Sequence, residues 1–287
     1  MPTLYRKFKR SGSIMTRLKT DDIANIADRL QQYDARLLRQ TGRTLKGIAC
    51  QSLGHKEENI FSPANQIKVS VVPFSCGHGI IKGFSHTVAQ IAAYMGFASY
   101  VAADTDVKGL TDAFDRKADI IFLADDERFA AINLRTGYVS DNSEMTARGF
   151  VTGLELMAGG LKGREVLVIG CGAVGLAAVK TLLTRGAAVA VYDVAAAQSH
   201  KLATHIREDV KVETDLRLAL KRYHLLFDAT PAKNIIDANV ITTQTFVTAP
   251  GMPCGVTPQA AAQLGKRLLH DPLQLGVACM LADTTAR

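Results

Sequence analysis

A glycine-rich segment, Gly170-Cys171-Gly172-Ala173-Val174-Gly175, carries the strongest chemical signal in the sequence. It follows the apolar run 166–169 directly and opens a helical pattern that extends from Gly175 to Arg185. In a G-x-G-x-x-G segment the first glycine permits a tight turn, the second admits a pyrophosphate, and the third lets helix and strand pack closely. The N–H groups at the start of such a helix bind phosphate. The predicted dinucleotide-binding residues are Gly170, Gly172, Ala173, Val174 and Gly175.

Asp193 ends the next apolar run, about twenty residues beyond the glycines, where a carboxylate accepts hydrogen bonds from the adenosine ribose. The same carboxylate repels a 2′-phosphate, and the next basic residue is Lys201. The predicted cofactor is therefore NAD rather than NADP. A packing turn that binds no nucleotide is the alternative interpretation.

Two later loops of this half, 228–231 and 249–254, follow apolar runs and contain proline or glycine. Ligands of an open α/β sheet lie outside the carboxyl ends of its strands. We therefore expect Thr230, Pro231 and Gly251 to contact the nicotinamide end of the cofactor. Each loop is also explained by an ordinary Pro/Gly turn.

Two loops of the N-terminal half carry candidate substrate residues. The first, 75–79, contains Cys76 and His78, which could form a thiolate–imidazole pair, although amine oxidation by NAD needs no protein nucleophile. The second begins at Asp125 and Asp126, after the buried run 119–124. These two acids could instead be the N-cap pair of a helix starting at Glu127, a role for which Asp126 is favoured.

At these residues the chain resembles the pyrrolysine synthase family, from about Leu18 to Met280. The resemblance implies 3-methylornithyl-lysine as the substrate. It implies Leu18, Cys76, Phe84, Asp125 and Asn142 as substrate-binding residues, with Cys76 and Asp125 as catalytic candidates. Archaeal members have serine in place of Cys76 and asparagine in place of His78, and they lack the basic residues before Met15. The motifs are Val-Pro…Gly-x-Gly-Ile-Ile…Phe-Ser within 72–85, Tyr94-x-Gly96-Phe97, Ala124-Asp125-Asp126, Ala229-Thr230-Pro231, Pro250-Gly251-x-Pro253-Cys254, and Asp271-Pro272-Leu273 running to Met280-Leu281.

The resemblance also implies a reaction. NAD oxidises the ornithine side-chain amine to an imine or aldehyde, and the α-amine then closes a pyrroline ring with loss of ammonia. A carboxyl group with a pKa near 3.9 is a poor base for an amine with a pKa near 10, a mismatch of about six units. We therefore assign Asp125 the role of ammonium anchor, with the proton leaving through water.

Two other functions compete with this one. A D-2-hydroxy-acid dehydrogenase needs a histidine–acid pair and an arginine for the carboxylate, and His270-Asp271 has no evident arginine partner. An NAD dehydrogenase for another amino acid is a variant of the same alternative. A non-catalytic NAD-binding sensor would have lost the polar groups of its substrate half, whereas Asp125 is present.

Alternating strand and helix patterns position these residues, so the predicted fold class is α/β. A helical N-terminal segment plus a small parallel α/β sheet is followed by a C-terminal Rossmann domain. The predicted divisions are a basic, disordered extension at 1–19, a substrate domain at 20–158 and a Rossmann NAD-binding domain at 159–287. Gly159-Gly160 is the predicted hinge.

Composition narrows the function classes further. Of the 287 residues 47% are hydrophobic and 21% charged, which is typical of a globular chain, and no apolar run could span a bilayer. We therefore expect a soluble, cytoplasmic protein. The five cysteines lack disulfide or zinc spacing, so no metal is predicted. The net charge of +7 owes much to residues 1–19, so a small molecule rather than nucleic acid is the expected partner, with a homodimer left open.

Overall fold

The structure is a computed structural model, and it describes residues 18–61, 66–206 and 208–287. The extension predicted at 1–19 lies outside the described residues except for Leu18 and Lys19. The α-helices are α1 (Thr20–Ile23), α2 (Leu30–Thr41), α3 (Leu45–Leu53), α4 (Glu57–Ile60), α5 (Phe84–Tyr94), α6 (Asp106–Asp115), α7 (Asn142–Ala158), α8 (Ala173–Thr184), α9 (Ala196–Ile206), α10 (Leu216–Arg222), α11 (Pro258–Leu264) and α12 (Gln274–Thr285). The strands are β1 (Lys68–Val72), β2 (Ala98–Val101), β3 (Ile120–Ala124), β4 (Phe129–Asn133), β5 (Val139–Asp141), β6 (Glu165–Ile169), β7 (Ala188–Tyr192), β8 (Val210–Val212), β9 (Leu225–Asp228), β10 (Phe246–Ala249) and β11 (Leu268–His270).

Helix α2 shows why the N-terminal segment is helical. Its buried side chains, Leu30, Tyr33, Leu37 and Thr41, recur every three or four residues and therefore share one face. Gly42 ends the helix with a φ of 71°, a left-handed conformation that costs glycine little. The helix buries one face and leaves the other in solvent.

The first sheet has the strand order β2-β1-β3-β4-β5. Strands β1, β2 and β3 are parallel, which confirms the predicted N-terminal α/β sheet. Strands β4 and β5 run antiparallel and extend this sheet at one edge. A short turn at 125–128 joins β3 to β4, and only antiparallel neighbours can be joined by so few residues. This edge was not predicted from the strand patterns.

The second sheet, ordered β11-β10-β9-β6-β7-β8, is parallel throughout the described residues. Helix α8 connects β6 to β7, as the glycine segment predicted, so the Rossmann wind is confirmed. Buried apolar runs form the central strands β6 and β9, which is the pattern expected when helices cover both faces.

The last helix, α12, packs against α3, α5 and α7 rather than against the second sheet. The sequence analysis placed it in the division 159–287, with the Rossmann strands. Helix α7 also packs against α8, so it contacts both halves of the molecule. None of the helices in the described ranges is long and apolar enough to cross a membrane.

Candidate active site

A cavity of about 720 Å³ lies where the carboxyl ends of the parallel strands of both sheets face each other. Every site residue predicted from the sequence lines it except Gly175, which is buried behind the glycine segment. The predicted residues that share the cavity wall are Leu18, Cys76, Phe84, Asp125, Asn142, Gly170, Gly172, Ala173, Val174, Asp193, Thr230, Pro231 and Gly251. The fold therefore brings both predicted groups together, while their individual roles stay predictions.

The glycine segment has the geometry that a dinucleotide requires. Gly170 has a φ of 93°, and a Cβ on Gly175 would overlap the carbonyl oxygen of Gly170. Gly172 precedes α8 as its N-cap and contributes no side-chain cap, so the first turn of the helix presents its N–H groups to the cavity side. The residues present therefore fit a bound pyrophosphate.

Asp193 holds the glycine segment as well as lining the cavity. Its Oδ2 accepts a hydrogen bond from the N–H of Cys171 at 2.8 Å, and its Oδ1 accepts one from Ala195 at 2.9 Å. A carboxylate oxygen has two lone pairs, so these bonds leave acceptor capacity for a ribose hydroxyl. Asp193 thus ties the end of β7 to the turn after β6.

The loop after β9 is fixed by a buried carboxylate that the sequence analysis did not select. Asp228 Oδ1 accepts from Thr230 N at 3.0 Å and from Thr230 Oγ1 at 2.7 Å. Burial raises the pKa of Asp228 to about 6, against the lowering effect of the Thr230 hydrogen bonds. Gly251 lies so close that a Cβ there would overlap the Thr230 carbonyl oxygen. Asp228 therefore fixes the loop 228–231, and Gly251 of the loop 249–254 packs directly against it.

On the opposite wall, Asp125 closes the β3–β4 turn. Its Oδ1 accepts from the N–H groups of Glu127 at 2.8 Å and Arg128 at 2.7 Å, and its own N–H donates to the Arg128 carbonyl oxygen at 2.9 Å. The interpretation of Asp125 and Asp126 as the N-cap pair of a helix is therefore wrong, because strand β4 begins at Phe129. The turn fixes the orientation of the Asp125 carboxylate beside the cavity.

Asp126 binds the loop that carries Cys76. Its Oδ2 lies 2.7 Å from His78 Nδ1 and accepts from the His78 N–H at 2.6 Å. A Cβ on Gly77 would overlap the same oxygen, and the φ of Gly77 is 66°. The structure therefore pairs the His78 imidazole with the Asp126 carboxylate.

Asn142, the first residue of α7, is oriented by its own helix and by α12. Thr146 Oγ1 donates to Asn142 Oδ1 at 3.2 Å. Gly276 of α12 allows this approach, because a Cβ there would stand 3.1 Å from Asn142 Oδ1 and only 2.5 Å from Thr146 Oγ1. With its oxygen engaged by Thr146, the Asn142 amide offers its Nδ2 hydrogens to a ligand.

Comparison with known proteins places these residues in a family. The family model for the pyrrolysine biosynthesis protein PylD, N-terminal domain, matches residues 22–140. The model for the alanine dehydrogenase/PNT C-terminal domain matches residues 142–269. The chain is 30% identical to the pyrrolysine synthase of Methanosarcina acetivorans over 93% of this chain and 98% of that protein. It is 32% identical to the pyrrolysine synthase of Methanosarcina barkeri over 93% of this chain and 97% of that protein.

The chain belongs to the pyrrolysine synthase family. The resemblance read from the motifs is confirmed, and so is the dehydrogenase character of the protein. Family and fold together make the chain an oxidoreductase. The C-terminal match ends at residue 269, just before the α12 segment that packs on the N-terminal helices.

Solved structures of dehydrogenases share the fold. The shikimate dehydrogenase of Aquifex aeolicus matches with a TM-score of 0.53 and 16% identity, over 78% of this chain and 98% of that one. The quinate dehydrogenase of Corynebacterium glutamicum, solved in complex with NAD, matches with a TM-score of 0.53 and 18% identity, over 77% and 93%. At these identities the likeness is one of fold.

A second buried carboxyl group in this family member, Asp271, lines the cavity and was not among the sequence-predicted site residues. Its Oδ2 accepts a short hydrogen bond from the Tyr33 hydroxyl of α2, and its Oδ1 accepts from Leu273 N at 3.0 Å and Leu275 N at 3.3 Å. Burial raises the pKa of Asp271, and burial next to this carboxyl raises the pKa of Tyr33 as well. Asp271 thus connects the start of α12 to helix α2.

The charged side chains of the cavity wall all have the same sign. Its charged side chains, among the residues that the structure describes, are the four carboxyl groups of Asp125, Asp126, Asp193 and Asp271, and no Lys, Arg or His of those residues lines it. Nor do the described residues contain a cluster of His, Cys, Asp and Glu that could hold a metal ion. The part of the wall formed by Asp125 and Asp126 therefore favours a cationic group of a ligand over an anionic one.

Proposed function

We propose that this chain is an NAD-dependent pyrrolysine synthase. It oxidises the side-chain amine of the ornithine moiety of 3-methylornithyl-lysine, and the product closes to pyrrolysine with loss of ammonia. The single observation that carries the proposal is the shared cavity. One wall contains the glycine segment, whose geometry fits a dinucleotide, and the other carries the fixed carboxylate of Asp125. Family membership supplies the substrate class, since both Methanosarcina relatives are pyrrolysine synthases.

NAD is the cofactor that the residues favour. The carboxylate of Asp193 is fixed at the end of β7, where it would meet the adenosine ribose and repel a 2′-phosphate. Gly170 and Gly175 permit the close turn at which a pyrophosphate would bind, since Gly170 has a φ of 93° and a Cβ on Gly175 would overlap the Gly170 carbonyl oxygen. When bound, NAD accepts the hydride from the carbon that carries the amine.

The substrate side of the cavity positions a cation. The Asp125 carboxylate accepts two backbone N–H groups, so its orientation does not depend on the substrate. The substrate carries ammonium groups, so a carboxylate at this wall pairs with one of them. Asn142 is placed to donate its amide hydrogens to a substrate carbonyl or carboxylate oxygen. Phe84, which packs edge-on against Phe129 with ring centroids 5.3 Å apart, gives this part of the wall an apolar surface.

Ring closure asks little of the protein. Hydride loss leaves an iminium carbon, the α-amine of the same moiety adds to it, and ammonia leaves to give the cyclic C=N bond. An amine and its target carbon held in one chain react with a high effective molarity. The main contributions of the chain are therefore positioning and the control of protonation.

The hydroxy-acid alternative fits the cavity less well. A hydroxy acid has no ammonium group to pair with Asp125, and no basic side chain of the described residues lines the cavity to balance its negative charge. His270 is engaged with the backbone oxygen of Ala249 at 2.6 Å. Burial opposes the charged form of this imidazole, but its contacts with Cys254 and Ala249 raise its pKa overall. His270 therefore holds the backbone at the start of the loop 249–254, which is expected at the nicotinamide.

The test is NADH formation from synthetic 3-methylornithyl-lysine, with ornithyl-lysine and a 2-hydroxy acid as comparison substrates and NADP as comparison cofactor. We expect NADH and a product lighter by the masses of ammonia and two hydrogens. Binding of NADH and of 3-methylornithyl-lysine, the dipeptide substrate, without turnover would support the non-catalytic NAD-binding sensor instead. Turnover of the hydroxy acid alone would contradict the proposed reaction.

A further inference from the structure

The ornithine moiety of the proposed substrate carries two amines, and so far one anchor has been assigned. Its side-chain amine is oxidised, and its α-amine closes the ring. Both nitrogens must lie near the nicotinamide, because the α-amine adds to the carbon that has just lost hydride. Asp125 holds one of the two cations, so a second anionic group is needed close to the cofactor.

Asp271 lies at the end of the strand beside the cofactor loops. Strands β10 and β11 are parallel and pair Ala249 with His270, so Asp271 leaves β11 at the level at which Pro250 leaves β10. Asp271 is therefore next to the loop 249–254, which is expected at the nicotinamide. It also lines the cavity.

The residues that follow Asp271 lead to the substrate wall. Leu273 and Gly276 line the same cavity. Gly276 packs against Asn142 and Thr146 of α7 so closely that a Cβ there would crowd both side chains. The segment 271–276 thus extends from the cofactor loops to a predicted substrate-binding residue.

The Asp271 carboxyl group is buried without a cationic partner. Its hydrogen-bond donors are the neutral Tyr33 hydroxyl and the N–H groups of Leu273 and Leu275. None of the ion pairs among the described residues involves it, and only 3% of the residue is exposed. Tyr33 uses one lone pair of Oδ2 and leaves another. A buried carboxylate without a counter-ion is costly, and an ammonium group in the cavity would provide one.

The two anchors suit different amines. The reacting amine must lose its proton before hydride can leave, and Asp125 is exposed, so water can take the proton there. A buried carboxylate stabilises the charged form of its partner, since solvent screens the pair less. Asp271 therefore suits the amine that stays protonated until the oxidation is complete, which is the α-amine.

We propose that the Asp271 carboxylate, held in position by Tyr33, binds the α-ammonium of the ornithine moiety and keeps it beside the carbon that is oxidised. The inference rests on the proposed function. It gives the two cations separate anchors, Asp125 at the end of β3 and Asp271 at the end of β11. Such a pair of anchors holds the moiety bent toward the five-membered ring that it forms.

The experiment compares Asp271→Asn with the parent on two substrates, with NADH formation as the readout. One is 3-methylornithyl-lysine, and the other is N6-(5-amino-3-methylpentanoyl)-lysine, which keeps the oxidised amine and lacks the α-amine. We expect kcat/KM of the variant to fall about a hundredfold on the first substrate and by no more than about threefold on the second, which has no α-ammonium to lose its partner.

A third substrate identifies the cation. N-(3-methylornithyl)-6-aminohexanoate lacks the α-amine of the lysine moiety instead, and Asp271→Asn should lose the full factor on it. An equal loss on all three substrates would indicate a structural role and overturn the proposal. A loss that disappears only with the third substrate would overturn it as well, because Asp271 would then bind the lysine moiety.

Two further variants separate positioning from folding. Tyr33→Phe keeps the Asp271 carboxylate and removes its hydroxyl donor, so we expect kcat/KM for 3-methylornithyl-lysine to fall about tenfold, mainly through KM. The matched control is Asp283→Asn. Asp283 lies on the same helix as Leu275, is equally buried and accepts a hydrogen bond from the Tyr138 hydroxyl at 3.0 Å, but does not line the cavity. It should keep the parent preference among the three substrates, and the same selective loss in this variant would contradict the assignment.

Failure of the proposed function would give a different result. A parent protein that forms no NADH from 3-methylornithyl-lysine would refute the proposed reaction. Calorimetric affinities of the NADH-loaded protein for the three compounds would still test Asp271. Asp271→Asn should bind the two compounds that have the ornithine α-ammonium about a hundredfold more weakly and the third compound nearly as the parent does. Parent affinity for all three would overturn the role of Asp271.

Discussion

The two walls of the cavity recognise their ligands by different physical means. The cofactor wall relies on backbone groups and on the absence of side chains, at Gly170, Gly175 and Gly251. The substrate wall relies on a charged and an amide side chain, each with one oxygen held by a hydrogen bond from a neighbour, as at Asp125 and Asn142. Substitutions should therefore act on the first wall through steric overlap and on the second through lost charge or lost orientation.

Gly175→Ala tests the steric requirement of the cofactor wall, and we expect it to have the largest effect of the substitutions considered. The added Cβ would overlap the carbonyl oxygen of Gly170, a backbone atom that cannot rotate away. The turn must move, so we expect NADH affinity to fall at least a hundredfold, with loss of turnover. Binding is read from NADH fluorescence on titration, and folding from the circular dichroism melt.

Gly42→Ala is the matched control, because it places an alanine at a φ of 71° with no atom in the way. It should lower stability by about 1 kcal/mol through backbone strain and leave NADH affinity unchanged. Equal loss of NADH binding in both variants would mean that general destabilisation, and not the shape of the glycine segment, explains the result.

On the substrate wall the corresponding change is Asp125→Asn, which keeps shape and removes charge. We expect kcat/KM for the dipeptide to fall about a hundredfold, because the bound ammonium loses its charged partner. NADH affinity should barely change. An anchor differs from a base in its pH signature, so the whole kcat/KM profile should drop without losing its acid limb.

The control for removal of a carboxylate is Asp104→Asn, at a surface site where Asp104 pairs with Lys108 at 3.3 Å. That variant should keep the parent kcat/KM. Dipeptide kinetics for Asp125→Asn within threefold of the parent would remove Asp125 from the site.

Asp193→Ser tests the one place where the cofactor wall uses a charged side chain. Loss of the carboxylate removes the ribose acceptor and loosens the bonds to Cys171 and Ala195. We expect the KM for NAD to rise about tenfold and the preference for NAD over NADP to shrink by a similar factor. The measurement is steady-state kinetics with both cofactors. A parent protein that already prefers NADP would contradict the role given to Asp193.

The same contrast explains what the sequence could predict. Strand β6, the glycine segment and α8 follow one another along the chain, and local backbone geometry alone dictates their form, so a short motif was sufficient. Strands β1 and β3 were recognisable as buried runs rich in β-branched residues, and β9 as a short apolar run. The candidate residues on these strand ends could therefore be placed at one edge before any contact was known.

The remaining features depend on contacts between distant segments. Nothing near Asp271 in the sequence indicates that Tyr33, 238 residues away, binds its carboxyl group. The docking of α12 on α3 and α7 was hidden because this helix is buried on all sides and shows no amphipathic period. The β3–β4 turn was mistaken for a helix start because an aspartate that accepts N–H groups two and three residues ahead serves both structures.

The smallest effect is expected at Thr146, a residue of the cavity wall whose hydroxyl orients Asn142. Thr146→Val removes the hydroxyl that donates to Asn142 Oδ1 and keeps the branched shape of the side chain. One neutral hydrogen bond is worth about 0.5–1.5 kcal/mol, so we expect the KM for the dipeptide to rise roughly two- to tenfold. The parent kcat and the parent NADH affinity should be kept, because Thr146 orients a binding group and takes no part in proton transfer. Thr146→Ser retains the hydroxyl and should keep the parent KM. A valine variant that lowers kcat at unchanged KM would show that Asn142 acts on the reacting amine rather than on a remote oxygen of the substrate.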